Sequence, residues 1–180
     1  MYGLVNKALQ DFVISKAGDK TWEEIRRKAD VSIHSFVSME SYPDDITYRL
    51  AQSTSEIMGI PLERALEGFG EYWILFTAKE GYGEMLDMCG KTIPEFLQNT
   101  NDLHQRILLG FPELKPPRLT VTDVRDHSLV LHYHTFRKGL APFVMGLIKG
   151  LGKRLNIPVE VELVKARDLG ADHDEFLVKY

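Results

Sequence analysis

With 180 residues, 44% of them hydrophobic, and a net charge of −4, the chain has the balance of a single globular domain, 1–180, without an acidic or basic tail. That balance argues against nucleic acid as a partner, and the lone cysteine, Cys89, excludes an internal disulfide or a cysteine-held zinc or iron–sulfur site. The uncharged run "GLAPFVMGLI" is too short to cross a bilayer and "MYGLVNKALQ" lacks the marks of a signal peptide, so no membrane partner and a cytoplasmic protein are expected.

Apolar residues Leu4, Val5, Ala8, Leu9, Phe12 and Val13 recur at helical spacing and predict a first amphipathic helix. Thr21 with Glu24 reads as a capping box opening a second, and Asp44 or Asp45 as the cap of a third that stops at Gly59. Pro61 starts a fourth, "PLERALEGFGEYWILFTAK", whose aromatic residues on several faces predict deep burial. Gly68 and Gly70 within it mark either close packing or room for something bulky. Thr92 and Glu95 form another capping box, with Pro94 in the first turn, for a helix through "IPEFLQNTNDLHQRILLG".

The segment "FPELKPPRL" cannot be helical, because Pro112, Pro116 and Pro117 remove donors and fix the backbone. From Leu119 the pattern is strand, turn "VRDHS", strand "LHYHTFR", a helix from about Leu140 to Leu155, and two strands, "PVEVELVK" and "EFLVKY". Helices fill the first two thirds and a hairpin, helix, hairpin unit the last.

Two groups of residues carry chemistry. His104 lies on the apolar stripe of its helix with Leu97, Thr100, Ile107 and Leu108. Such a residue is either a satisfied boundary histidine or a neutral imidazole in an apolar wall, which is what a haem iron needs; position alone does not choose. In extended chain Tyr133, Thr135 and Arg137 point the same way. They are either an exposed polar cluster or a set of donors for an acid-rich anion, a ligand with two carboxylates using all three. His132 and His134 form an H-x-H pair on the opposite strand face, a weak metal signal, because alternating sheets usually wet one side. His34 and His173 fall in loops beside polar residues and are given no role.

The stretches "YHTFR", "MYGLVNKAL", "FGEYW", "PEFLQNTNDLH", "LKPP" and "GLAPFVMGLIKGLGKR" together resemble the haem nitric oxide and oxygen binding (H-NOX) family, stand-alone cyanobacterial members most, along the whole chain. The family strand motif is Tyr-x-Ser-x-Arg. Thr135 replaces its serine, keeping the hydroxyl on a stiffer side chain.

The resemblance implies an α+β fold, a helical N-terminal subdomain packed on a C-terminal one with a four-stranded antiparallel sheet. It implies haem b (iron protoporphyrin IX) on His104, propionates held by Tyr133, Thr135 and Arg137, and Pro117 pressed on the porphyrin. Leu4, Val5, Trp73, Phe143 and Leu147 would line the pocket, although packing alone reads these five as core. A tyrosine stands at the position of Phe143 in oxygen-binding members; phenylalanine has no donor, so nitric oxide and carbon monoxide are the expected ligands.

The expected protein is a sensor, not an enzyme, in which nitric oxide frees His104 and the helices shift against the sheet. With no output segment after Tyr180, the signal is expected to pass to a separate histidine kinase or cyclic-di-GMP enzyme. The competing class is a haem peroxidase, which needs a distal acid–base pair, or a metallohydrolase built on His132 and His134.

Overall fold

The computed structural model describes residues 1–180. Six α-helices and four strands follow the order α1 (Gly3–Lys28), α2 (Asp44–Met58), α3 (Leu62–Thr77), α4 (Gly83–Asp87), α5 (Ile93–Leu108), β1 (Arg118–Arg125), β2 (Ser128–His134), α6 (Ala141–Leu155), β3 (Glu160–Lys165) and β4 (Asp174–Lys179). The sheet is antiparallel throughout, in spatial order β1-β2-β4-β3, so the two hairpins expected from the sequence join through the central pair β2 and β4. The fold is α+β, as expected.

The first two helices of the sequence reading are present but run together. Gly18, at φ 82° and ψ 169°, breaks α1 where only glycine takes that conformation without cost. The break precedes Thr21, whose hydroxyl donates to the Ala17 carbonyl at 2.8 Å and therefore does not cap; the capping box expected there is a correction. Asp44 and Asp45 likewise lie in the first turn of α2 rather than capping it, since Pro43 holds the cap position. Favourable charge at a helix N-terminus explains their placement without a cap bond. The Thr92 cap of α5 does form, its side chain accepting from the Glu95 amide, with Pro94 in the first turn as expected.

Two apolar cores result. One gathers Leu9, Phe12, Val13, Trp22, Ile25, Leu50 and Phe69 from the N-terminal helices. The other packs Ile93, Phe96 and Leu103 with Leu129, Leu131, Tyr133, Phe176 and Val178 of the sheet and Val144, Ile148 and Leu151 of α6. Helices α3 and α6 form the seam between them. A Cβ at Gly70 would stand 2.1 Å from the Phe143 carbonyl oxygen, and one at Gly146 would stand 2.0 Å from that of Glu67. These backbones touch because neither glycine carries a side chain, which assigns Gly70 to close packing. The Lys149–Glu67 and Lys153–Glu71 ion pairs flank the seam.

The proline-rich connector is held from outside. The Glu113 amide donates to the Tyr2 hydroxyl at 3.0 Å, and the Tyr2 ring meets Phe111 edge-on at 4.8 Å. Between α3 and α4, residues Ala78–Tyr82 form one wide helical turn in which Gly81 takes φ 95°.

Candidate functional site

Helix α5 presents His104 and is fixed to the sheet by Asn101, one turn earlier on the same side. The Asn101 side chain donates to the Leu119 carbonyl at 2.7 Å and accepts from the Leu119 amide at 3.0 Å, so it pairs with β1 as another strand would. His104 is half-buried, and its Nδ1 is enclosed with no hydrogen-bond partner. Burial pushes its pKa below the usual 6.5, opposed by the backbone of Pro117. The ring is therefore neutral at pH 7 and keeps a free lone pair, the form in which imidazole binds a metal. Pro117 is half-buried immediately before β1.

The strand bearing Tyr133 is shorter than the sequence reading had it. β2 ends at His134, and Thr135 and Arg137 lie in the loop that leads to α6. The three are thus not one strand face, yet they still meet. Burial pushes the Tyr133 phenol up to about 12, while a hydrogen bond with Thr135 and the charge of Arg137 pull the other way. Thr135 Oγ1 in turn accepts from the Arg137 amide at 3.2 Å. The extended-chain alignment fails because Arg137 is drawn toward α2. Its Nε donates to Asp44 at 2.8 Å, its Nη1 donates to the Lys115 carbonyl at 2.9 Å, and its guanidinium lies 4.5 Å from the Phe136 ring centroid.

Of the five apolar positions, Leu4 is buried and Val5, Trp73, Phe143 and Leu147 are half-buried. Phe69 joins two of them, its ring centroid 5.1 Å from that of Phe143 and 6.3 Å from that of Trp73. Val5, Trp73 and Phe143 all border the N-terminal core. The neighbouring Tyr72 hydroxyl is bonded to the Asp11 carboxylate, and burial followed by that bond raises its pKa to about 12.

Several contributors escaped the sequence reading. Asp44 and Tyr48 of α2 both reach the Arg137 loop, Tyr48 donating to the Lys138 carbonyl at 3.0 Å. Partners 90 or more residues apart leave no local signal. Asn101 could have been suspected as an amide on the stripe of His104. His173, given no role, is held beside His132, whereas His134 stacks on His173 with centroids 4.1 Å apart; the H-x-H pair is therefore not the set that converges. Cys89 is buried and burial raises its thiol pKa, so it is an unreactive core residue.

The chemistry of the donor set suits haem: a neutral, half-buried imidazole with an unpaired nitrogen, and a phenol, a hydroxyl and a guanidinium that can take acid groups. A family model described as "Haem-NO-binding" matches residues 2–163. Soluble guanylate cyclase gcy-35 of Caenorhabditis elegans is 29% identical over 186 residues, covering 100% of this chain and 26% of that protein. Soluble guanylate cyclase gcy-37 of the same organism is 30% identical over 158 residues, covering 86% of this chain and 22% of that one. The chain spans about a quarter of the length of the curated relatives it matches. Among solved structures, an H-NOX protein from S. oneidensis in the Fe(II)NO ligation state superposes with a TM-score of 0.89 at 19% identity, covering 99% of this chain and 98% of the other. The unliganded Fe(II) H-NOX protein from K. algicida gives 0.85 at 20%, covering 100% and 97%.

Proposed function

The chain belongs to the haem-NO-binding (H-NOX) family, and from that membership we propose that residues 1–180 act as one unit that senses nitric oxide and carbon monoxide and performs no catalysis. The observation that carries this reading is His104, a neutral imidazole with an enclosed, unpaired nitrogen on a helix otherwise well satisfied.

Bound haem b would supply a ferrous iron able to take up a diatomic gas. His104 would hold that iron through its neutral imidazole. Tyr133, Thr135 and Arg137 would bind the propionates, Arg137 exchanging part of its contact with Asp44 for a ligand carboxylate. Pro117, rigid and fixed between the Lys115 contact and β1, would press on the macrocycle. Leu4, Val5, Trp73, Phe143 and Leu147 would exclude water.

Phe143 offers no hydrogen to a bound gas, and the Tyr72 hydroxyl is already engaged by Asp11. Without a phenol at position 143 the pocket holds only the Trp73 indole N–H as a donor among its five lining residues, which disfavours dioxygen, whose negative charge a well-placed hydrogen bond must stabilise. His104 would be the mechanical link: a released imidazole would leave α5 held to β1 through the Asn101–Leu119 bonds. The receiving partner is proposed to be a separate histidine kinase or cyclic-di-GMP enzyme, and the setting cytoplasmic; no helix is long and apolar enough to cross a membrane. The absorption spectrum of the purified ferrous protein before and after nitric oxide tests the reading. A Soret band that shifts to a five-coordinate form is expected, and a colourless protein that takes up no haem would end it.

A further inference from the structure

On the strand face opposite Tyr133, three acceptor atoms converge. His132 Nδ1 on β2 and His173 Nε2 in the loop before β4 lie 2.9 Å apart. Glu175 Oε1, opposite His132 in the β2–β4 register, lies 3.6 Å from the first and 3.4 Å from the second. The side chains of His132, His173 and Glu175 are only 20%, 12% and 13% exposed.

The outer contacts of both rings favour one assignment of the ring hydrogens. Thr122 Oγ1 is 2.9 Å from His132 Nε2, and the Thr122 hydroxyl itself donates to Asp123 at 3.5 Å, so the oxygen is left to accept from Nε2–H. On the other ring, Asp172 sets a carboxylate oxygen 2.7 Å from His173 Nδ1, an oblique contact that favours a proton there. His132 Nδ1 and His173 Nε2 then turn two lone pairs toward each other beside a carboxylate oxygen. With the hydrogens so placed, the facing lone pairs repel unless a cation lies between them.

We propose that His132, His173 and Glu175 form a binding site for a divalent transition metal, zinc being the best match, with Thr122 and Asp172 orienting the two imidazoles. A tetrahedral site with metal–ligand bonds of about 2.0–2.2 Å sets its donor atoms about 3.3–3.6 Å apart, which the two Glu175 separations of 3.6 and 3.4 Å match, while the ring nitrogens, 2.9 Å apart, would open by about 0.4 Å on binding. Two imidazoles and one carboxylate suit zinc, copper or nickel better than calcium or magnesium. A histidine whose second nitrogen meets a carboxylate or hydroxyl is the usual support for such a ligand. The ion joins β2 to β4 one residue from Tyr133 and leaves a fourth position for water. Lys165 is its competitor, with Nζ 2.7 Å from Glu175 Oε1, but that side chain is 59% exposed and free to swing away.

The site is tested with zinc chloride on the haem-loaded protein after chelator stripping, using a chromophoric chelator as competitor. One equivalent is expected to bind, with affinity falling about 10–100-fold in each of His132→Gln, His173→Gln and Glu175→Gln. The Soret band and melting temperature of each variant report that the fold is kept. Lys165→Gln should bind zinc more tightly, an outcome that mere loss of structure does not produce. Absence of stoichiometric binding, or binding that the three variants leave unchanged, overturns the proposal. So does a loss confined to His134→Gln, which would return the site to the H-x-H pair.

Discussion

Arg137 and Asp44 are 93 residues apart in sequence and joined by a 2.8 Å hydrogen-bonded ion pair between Nε and Oδ2. The contact ties the loop between β2 and α6 to the first turn of α2. A ligand carboxylate taken by Arg137, as proposed, would therefore act on the N-terminal helices through the same guanidinium.

This pair gives stability a dependence on acid. Burial alone would raise the Asp44 carboxyl, but bonds from the N-terminal ammonium and Arg137 outweigh it and hold the pKa below 3.8. A depressed carboxyl contributes stability that is fully present above its unfolded pKa, about 4, and is lost as pH falls through the lower folded value. Asp44→Asn is expected to cost about 1 kcal/mol at pH 7 and to flatten the acid limb of a denaturation series below pH 4. An unchanged acid limb would remove Asp44 from the account.

Replacing His104 with glycine should yield protein that loses haem on a desalting column and regains a ferrous Soret band when imidazole is added. Normal haem retention with an unaltered ferrous spectrum would show that another residue holds the iron.

The haem-free protein should also weaken in mild acid. Burial lowers the His104 pKa, so between the folded value and about 6.5 the unfolded chain binds the extra proton. The stability tied to the neutral ring is complete above about 6.5 and disappears as pH falls through the folded value. His104→Gln should remove that component, measured by urea denaturation between pH 7.5 and 5.

Phe143→Tyr places a hydroxyl beside Phe69 and Trp73 and is expected to raise dioxygen affinity at least about tenfold, the effect of about 1.4 kcal/mol from one hydrogen bond. Spectra of both ferrous proteins equilibrated with air decide it; identical spectra refute the selectivity argument.

Gly146→Ala should destabilise the protein by about 3 kcal/mol, since the added Cβ meets the Glu67 carbonyl at 2.0 Å and both partners are backbone. Chemical denaturation measures the loss, and a change under about 0.5 kcal/mol would mean the helices separate freely.

What the sequence made legible was local. The Thr92–Glu95 cap, the apolar stripe around His104 and the alternation in β2 are each written within a few residues, and each element is present. The α+β order of helices and hairpins followed from them. What stayed hidden depends on distant partners: Arg137 leaves the strand direction because Asp44 and the Lys115 carbonyl attract it. Thr21 looked like a cap from its spacing to Glu24, but the chain breaks three residues earlier, at Gly18, and the Thr21 hydroxyl turns back to the Ala17 carbonyl. His173 looked idle because its neighbours, His132 and Glu175, are set by the β2–β4 register rather than by spacing in its own loop.

The bare backbone contact of α3 with α6 has a mechanical meaning. Trp73 rides on one of these rods and Phe143 and Leu147 on the other, and with no side chains at Gly70 and Gly146 to act as bearings, the rods cannot slide past each other without collision. They form an axle. Any large rearrangement would swing the α1–α2 layer or the sheet about that line, leaving the wall of Trp73, Phe143 and Leu147 in shape while the outside of the protein changes.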